Sequence, residues 1–328
     1  MAITVQGGSL ENISGVAKRH SRGAMIECSI SILTKNEERN IGACLEAVYS
    51  QQAVGPFDVV LVDSGSTDGT VEIAKRFPVR IERIPPEAFH YARTRNLAAR
   101  LGTGRILVSL AGDAVPTSKL WLHHMTANFA DPGVGAVYGR QLPKARAGEE
   151  RHDTFEAVYG DKKIVKDPAH PNGMGYRFYH FSDVNSAIRR TVWETSPFPE
   201  ELKTFEDLGI AKRILEAGWK IVYEPEAAVF HSHDYTAFQL FQRYFDIGYT
   251  LKRLQIWDAP GTRSSMMRGL LDLLGKQFAR IKDNEARLLV PVAVGHDFAK
   301  SAGLLLGVNQ RFLPLALKRH LSAYNVFE

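Results

Sequence analysis

The chain is predicted to be an α/β protein with a mixed, mainly parallel sheet flanked by helices and a helical C-terminal extension. Three observations carry this. Apolar runs of strand length alternate with segments of helical periodicity from Cys28 to Leu110, which is the pattern of βαβ units. The runs Phe57–Val62 and Arg105–Leu110 are nearly continuously apolar, as strands buried on both faces are. From Thr236 onward the pattern is helical.

The elements follow in order. Cys28–Leu33 (CSISIL) places β-branched residues at period two and predicts the first strand. The polar loop Thr34–Asn40 leads into a helix over Ile41–Gln51, with Ile41, Leu45 and Val48 on one face. Phe57–Val62 is the second strand. Asp63–Gly69 (DSGSTDG) is a turn cluster, and Thr70–Phe77 a short helix. Val79–Ile84 is a strand, His90–Leu101 a helix and Arg105–Leu110 a strand. Beyond Asp113 the order is mixed. Trp121–Phe129 reads as a helix and Ala136–Arg140 as a strand. Ala145–Asp167 is charged and loop-rich. Tyr176–Phe181 and Val184–Arg189 read as strands. Asp207–Ala217 is an amphipathic helix closed by Gly218. Lys220–Tyr223 and Ala228–His231 read as two short strands. Three regions result: a loose leader over 1–25, an α/β domain over 26–235 and a basic helical region over 236–328.

With 328 residues, 45% of them hydrophobic, the chain can bury a core without staples. Its 23% of charged residues argues against global disorder. Cys28 and Cys44 are too few for a disulfide framework, so a reducing compartment is expected. No apolar run reaches the ~18 residues of a spanning helix, and the first residues lack the plan of a secretory signal. From Gly248 onward 12 Lys/Arg face 6 Asp/Glu, while the whole chain carries +5, so the positive charge is concentrated at the C-terminal end. In Ser264–Lys282, Met267, Leu270, Leu271, Leu274, Phe278 and Ile281 recur at helical spacing beside Arg268, Lys276, Arg280 and Lys282. Such a helix can lie on an anionic bilayer, or pack its stripe on the catalytic domain or a second subunit.

Ligands of open parallel sheets sit beyond the carboxyl ends of strands. That singles out Thr34, Asn36 and Glu37 after the first strand, Asp63 to Asp68 after the second, and Gly112–Asp113 after the strand ending at Leu110. Asp63 and Asp113 should meet at one sheet edge. One carboxylate can read a base or ribose, and the other can hold a divalent ion that bridges a diphosphate. Asp63–Gly69 is equally an Asx turn. Arg95 can fork onto a diphosphate or stand on the surface. Glu206-Asp207 precedes a helix, so Asp207 is either an N-cap or a general base. Of the pair in His231-Ser232-His233, one imidazole is expected to face the site, and a metal role falls to His231.

The series SILTKNE, VLVDSGSTDGT, ARTRNLAA, FSDVNSAIRR, EDLGIAKRILEAGWKIVYEPEAAVFHSH and RYFDIG resembles the family 2 glycosyltransferases of GT-A (Rossmann-like) fold. The similarity spans Ile26 to Gly248. Within that family the chain is similar to bacterial rhamnosyltransferases that use a dTDP-linked deoxysugar, and the ending LPLALKRHLSAY is like theirs. The resemblance implies that Thr34, Asn36 and Glu38 line the nucleotide pocket, that Asp63 reads the base and that Arg95 lies beside them. It implies Asp113 and His231 as ligands of a divalent metal (Mg or Mn). It implies Asp207 as the catalytic base with Glu206 beside it. Ser182, Asp183 and Asn185 would border donor sugar and acceptor. The metal motif, Ala111-Gly112-Asp113, has one acid, so diphosphate oxygens, His231 and water would complete the coordination.

The expected activity is therefore inverting transfer of a sugar, L-rhamnose from dTDP-rhamnose, to a saccharide or lipid-linked saccharide in surface-polysaccharide synthesis. The alternatives are a UDP- or GDP-sugar donor, or a non-catalytic nucleotide-sugar binder of the same fold. A cytoplasmic location, peripheral contact with the membrane's inner face and a homo-oligomer through the C-terminal helices accompany it. A nucleotidyltransferase would want a glycine-rich loop where TKNEERN has no glycine. A P-loop kinase is excluded by the missing GxxxxGK[ST], and no nucleic-acid partner is expected without stacking aromatics among the basic residues.

Overall fold

The computed structural model describes residues 26–144, 158–171, 175–280 and 290–327. The expected leader, the first part of the loop-rich stretch after Ala145, and Ile281 and Lys282 of the basic stripe lie outside them. The strands are β1 (Cys28–Thr34), β2 (Phe57–Asp63), β3 (Arg80–Arg83), β4 (Ile106–Ala111), β5 (Val115–Pro116), β6 (Val134–Leu142), β7 (Ile164–Lys166), β8 (Asn185–Arg189) and β9 (Lys220–Phe230). The helices are α1 (Ile41–Tyr49), α2 (Thr70–Ala74), α3 (Tyr91–Leu101), α4 (Trp121–Ala127), α5 (Tyr176–Tyr179), α6 (Arg190–Thr195), α7 (Glu206–Glu216), α8 (Ala237–Arg253), α9 (Thr262–Arg280), α10 (Val290–Val308) and α11 (Leu315–Leu321).

One sheet runs β3-β2-β1-β4-β8-β6-β9-β5, with β7 also on β9. The first four strands are mutually parallel. Strand β8 runs antiparallel between β4 and β6, and β6 and β9 are parallel. The strand order reverses at β1, between β2 and β4. This is the topological switch point, where the loops after neighbouring strands turn to opposite faces and open a crevice.

Apolar residues on both sheet faces make this arrangement cohere. Ile30, Ile32, Leu61, Val108 and Leu110 pack with Ile41, Leu45 and Val48 of α1 and Trp121, Leu122 and Met125 of α4. The residues of α1 recur at the 3.6-residue period, so one helix face covers the sheet. Truncating such a core leucine to alanine typically costs about 2–5 kcal/mol. A second cluster joins Tyr138, Ile188 and Tyr223 to Trp193 of α6 and Ile210 and Ile214 of α7. Leu208 of α7 shares a third cluster with Leu251, Trp257, Leu304 and Val308, so the C-terminal helices are docked on the helix that carries the Glu206-Asp207 pair. No helix of the described residues is long and apolar enough to cross a membrane.

Three expectations are corrected. Tyr176–Phe181 is not a strand: Tyr176–Tyr179 forms one helical turn after Gly175, whose φ is +55°. Its run of aromatics imitates strand composition, but the side chains are used to bury Phe178. The two short strands over Lys220–His231 are one strand, β9. Glu224-Pro225-Glu226 looks like an interruption and is instead an irregularity in the pairing with β6, between the pairs Gly139–Glu224 and Gln141–Val229. The short elements β5, β7 and α6 were not anticipated.

Candidate active site

Strands β1 and β2 end in register, Thr34 opposite Asp63. Parallel pairing thus brings two segments 30 residues apart to one edge. Asp63 is fully buried. Its carboxylate accepts from the Ser66 amide at 3.2 Å and from Arg83 Nε at 3.3 Å. Arg83 arrives there because β3 pairs Arg83 with Asp63. The two loops are then zipped together. Asn36, at φ +56°, donates its amide to Ser66 Oγ and accepts from the Thr67 amide at Oδ1, both at 2.9 Å. Glu38 Oε2 accepts from the Gly69 amide at 2.9 Å, and the Glu37 amide donates to Thr70 Oγ1 at 2.7 Å. Thr34 Oγ1 is buried with no hydrogen-bond partner. Thr34, Asn36, Glu38 and Asp63 are therefore neighbours. Arg95, expected with them, is elsewhere.

Asp113 follows β4 on the other side of the switch point. A Cβ at Gly112 would come within 2.9 Å of Thr34 Oγ1, so glycine lets the β4 turn close on the end of β1. Asp113 is buried, and three cationic or ligating groups converge on it. His231 Nε2 lies 3.5 Å away, His233 Nε2 3.8 Å and Lys144 Nζ 3.3 Å. Ligand atoms of Asp113, His231 and His233 all lie within 4.8 Å of one another, so this trio could hold a metal ion. The donor set fits a divalent cation, being two imidazoles and a carboxylate. The orientation fits as well. His231 Nδ1 is 2.8 Å from Gln141 Oε1. That bond takes the Nδ1 proton and leaves Nε2 as the acceptor facing Asp113. Burial pushes the His231 pKa down to about 4 and lowers that of His233, which keeps both imidazoles neutral, the form that ligates.

His233 corrects the expectation of a single imidazole. Strand β9 ends at Phe230, and residues two apart in an extended segment share a face, so both rings reach Asp113. Gln141 was missed altogether. It sits on β6 opposite Val229, and its Nε2 donates to Tyr159 Oη at 2.6 Å and Ser182 Oγ at 2.9 Å.

The second cluster is built on the first turn of α7. Glu206 is buried and Asp207 half-buried. Asp207 Oδ1 accepts from the Leu208 amide at 2.8 Å. Arg95 of α3 meets Asp183 here, at 2.9 Å and 3.2 Å, with both side chains buried. Burial, then the charge of Asp183, pushes the Asp207 pKa up to about 7. Burial, then the charges of Asp183 and Asp207, holds the Glu206 carboxyl well above the usual carboxylate range. A carboxylate poised near neutrality is what a general base needs. Arg95 thus serves this carboxylate group rather than the loops at Asp63.

Ser182 and Asp183 line the junction between the clusters, since Gln141 ties Ser182 to His231. Asn185 does not border a cleft. It is fully buried, donates to the Ala227 and Arg140 carbonyls at 2.7 and 3.3 Å, and accepts from Trp121 Nε1 at 2.9 Å. Its amide welds β8 to β9 and α4.

An open α/β sheet with polar loops at its switch point, a carboxylate–imidazole cluster and a pair of adjacent acids is the arrangement of a GT-A glycosyltransferase. Solved structures share the fold. The mannosyltransferase PcManGT from Pyrobaculum calidifontis, in complex with GDP-Man and Mn2+, superposes with a TM-score of 0.58 at 19% identity, over 90% of this chain and 94% of its own. The glycosyl transferase family 2 model matches residues 29–195. The O-antigen chain rhamnosyltransferase RfbN of Salmonella typhimurium is 33% identical over 292 residues, 86% of this chain and 90% of the relative. WbaN of Salmonella anatum, also an O-antigen chain rhamnosyltransferase, is 33% identical over 85% of this chain and 88% of its own. The chain belongs to glycosyl transferase family 2 and is a glycosyltransferase.

Proposed function

We propose that the chain transfers L-rhamnose from dTDP-rhamnose, with inversion, to a saccharide or lipid-linked saccharide during surface-polysaccharide synthesis. The observation that carries this is the raised proton affinity of Asp207, beside a junction that Gln141 connects to the Asp113–His231–His233 trio. The names of the two Salmonella relatives support rhamnose as the sugar. The Thr34, Asn36, Glu38 and Asp63 group would receive the nucleotide.

In the transfer, the Asp207 carboxylate accepts the proton of an acceptor hydroxyl. The freed oxygen pair bonds the anomeric carbon from the face opposite the diphosphate. The bond from that carbon to the phosphate oxygen breaks, and its electron pair leaves on the nucleoside diphosphate. One displacement with one base inverts the configuration. Asp113, His231 and His233 would hold Mg2+ or Mn2+, which supplies Lewis-acid stabilisation of the leaving phosphate. Asp183 raises the proton affinity of Asp207 and its partner Arg95 lowers it.

The reading implies a cytoplasmic enzyme with peripheral membrane contact. On the C-terminal helices Phe298, Leu305, Leu306, Phe312 and Leu315 are exposed, with Arg311 and Arg319 exposed among them. Such a face suits a lipid-linked acceptor or a second copy of the chain. Turnover of dTDP-rhamnose, UDP-sugars and GDP-sugars by wild type and Asp207→Asn tests the proposal. The variant is expected to bind donor normally and to lose at least about 100-fold in transfer. Wild-type turnover in Asp207→Asn would remove the base from the mechanism.

A further inference from the structure

Between the metal trio and the acid pair stands a cation that neither cluster claims. Arg243 lies on α8, inside the C-terminal helical region. Its guanidinium stacks over the Tyr235 ring at 4.7 Å and the Tyr324 ring at 5.5 Å. Among the described residues its guanidinium donates to the Tyr324 hydroxyl, a phenol and not a carboxylate, so that bond does not cancel its positive charge. The two rings lead in opposite directions. Tyr235 contacts His233 at 5.6 Å, and His233 contacts His231 at 4.7 Å. Tyr324 meets Tyr91 at 6.0 Å and Phe205 at 6.1 Å, and Phe205 directly precedes Glu206. A continuous line of aromatic contacts therefore runs from Asp113 through Arg243 to the start of α7.

Tyr324 is itself held by an anchor. Asp246, one helical turn after Arg243 on α8, is fully buried and accepts the Ala323 and Tyr324 amides at 2.9 and 3.0 Å. Val326 and Phe327 are buried against Phe245. The end of the chain is thus clamped onto α8 so that its tyrosine aims Arg243.

We propose that Arg243 binds the diphosphate of the nucleotide donor, and that Tyr324, brought back by the C-terminal segment, is the residue that positions it. The inference rests on the sugar-transfer reading of the same site. A planar guanidinium held between two rings keeps its outward N–H groups directed at one place, as bidentate recognition of phosphate oxygens requires. Its place along the line of rings lies between the metal trio and the base, where negative charge would grow on the leaving group.

The test is calorimetry with dTDP, UDP and GDP in turn, each with Mn2+, on wild type, Arg243→Met, Arg243→Lys and Tyr324→Phe. Arg243→Met is expected to weaken the nucleoside diphosphate that wild type binds about 10- to 100-fold. Arg243→Lys should recover part of that loss. Tyr324→Phe keeps ring and charge and should lose a smaller factor. Mn2+ binding without nucleotide should be the same in all four proteins, which separates this role from a structural one. Equal diphosphate affinity in wild type and Arg243→Met overturns the proposal. If Arg243→Met does not fold, unchanged affinity in both Arg243→Lys and Tyr324→Phe overturns it as well. A wild type that binds none of the three diphosphates instead overturns the sugar-transfer reading.

Discussion

Asp207 is subject to opposing influences, and their balance decides what it can do. The Leu208 amide and the guanidiniums of Arg95 and Arg243 favour its charged form, while burial and the charge of Asp183 oppose it. The opposition wins, and the pKa settles at about 7. Only the ionised carboxylate can take a proton from the acceptor. The transfer rate is therefore expected to rise tenfold per pH unit up to about 7 and to level off above it. Initial rates with saturating donor between about pH 5.5 and 8.5 check this, and a limb near pH 4 would mean that Asp207 is solvated and ordinary. Apart from the family resemblance, the sequence distinguishes this residue only as an acid at the start of an amphipathic helix, compatible with an N-cap or a general base. What makes it a base is burial and then the charge of Asp183, 24 positions earlier and delivered by the segment before β8. No local pattern reports that proximity.

The elements that meet at the site differ in how visible they are. Strands β2 and β4 are visible because each is almost continuously apolar, and β1 because its isoleucines recur at period two; their carboxyl ends follow directly. The meeting of β6 and β9 is not visible. It depends on a parallel pairing with an irregularity between Gly139 and Gln141, which resumes at Gln141 and Leu142. From there Leu142 accepts the His231 amide at 2.8 Å, and Gln141 reaches the His231 ring. Gln141→Leu keeps the volume and removes the Nδ1 partner of His231. It is expected to weaken Mn2+ binding about 10- to 100-fold, read by calorimetry without nucleotide, and to lower thermal stability, because the Tyr159 and Ser182 hydroxyls lose their partner too. Unaltered Mn2+ affinity would mean that His231 is oriented by packing alone. Arg95 shows the converse difficulty. Its place on α3 was plain, but whether its side chain turned to Asp63 or to Asp183 depended on the approach of β8.

At the scale of the molecule, the C-terminal region and the α7 helix share one cluster of apolar side chains, and the chain's end returns to α8 through Asp246. Burial pushes the Asp246 pKa up to about 6. Because folding raises it, the stabilising contribution is complete below the ordinary value near 4 and is lost as pH rises through about 6. Asp246→Asn retains an oxygen for the two amides, which both bond Oδ2, and cannot lose a proton there. Urea unfolding should show wild type falling relative to Asp246→Asn between about pH 4 and 6, then running parallel above. Parallel curves throughout would mean that the carboxyl is wet in the folded state. Helices α8 and α10 meet with no side chains between them at Gly248, Gly303 and Gly307. A Cβ at Gly303 would fall 2.2 Å from the Phe241 carbonyl oxygen, and one at Gly307 2.0 Å from that of Phe245. Two rods in backbone contact cannot slide or roll independently. A bulkier residue at Gly303 or Gly307 would therefore wedge α10 away from the rod that bears Arg243.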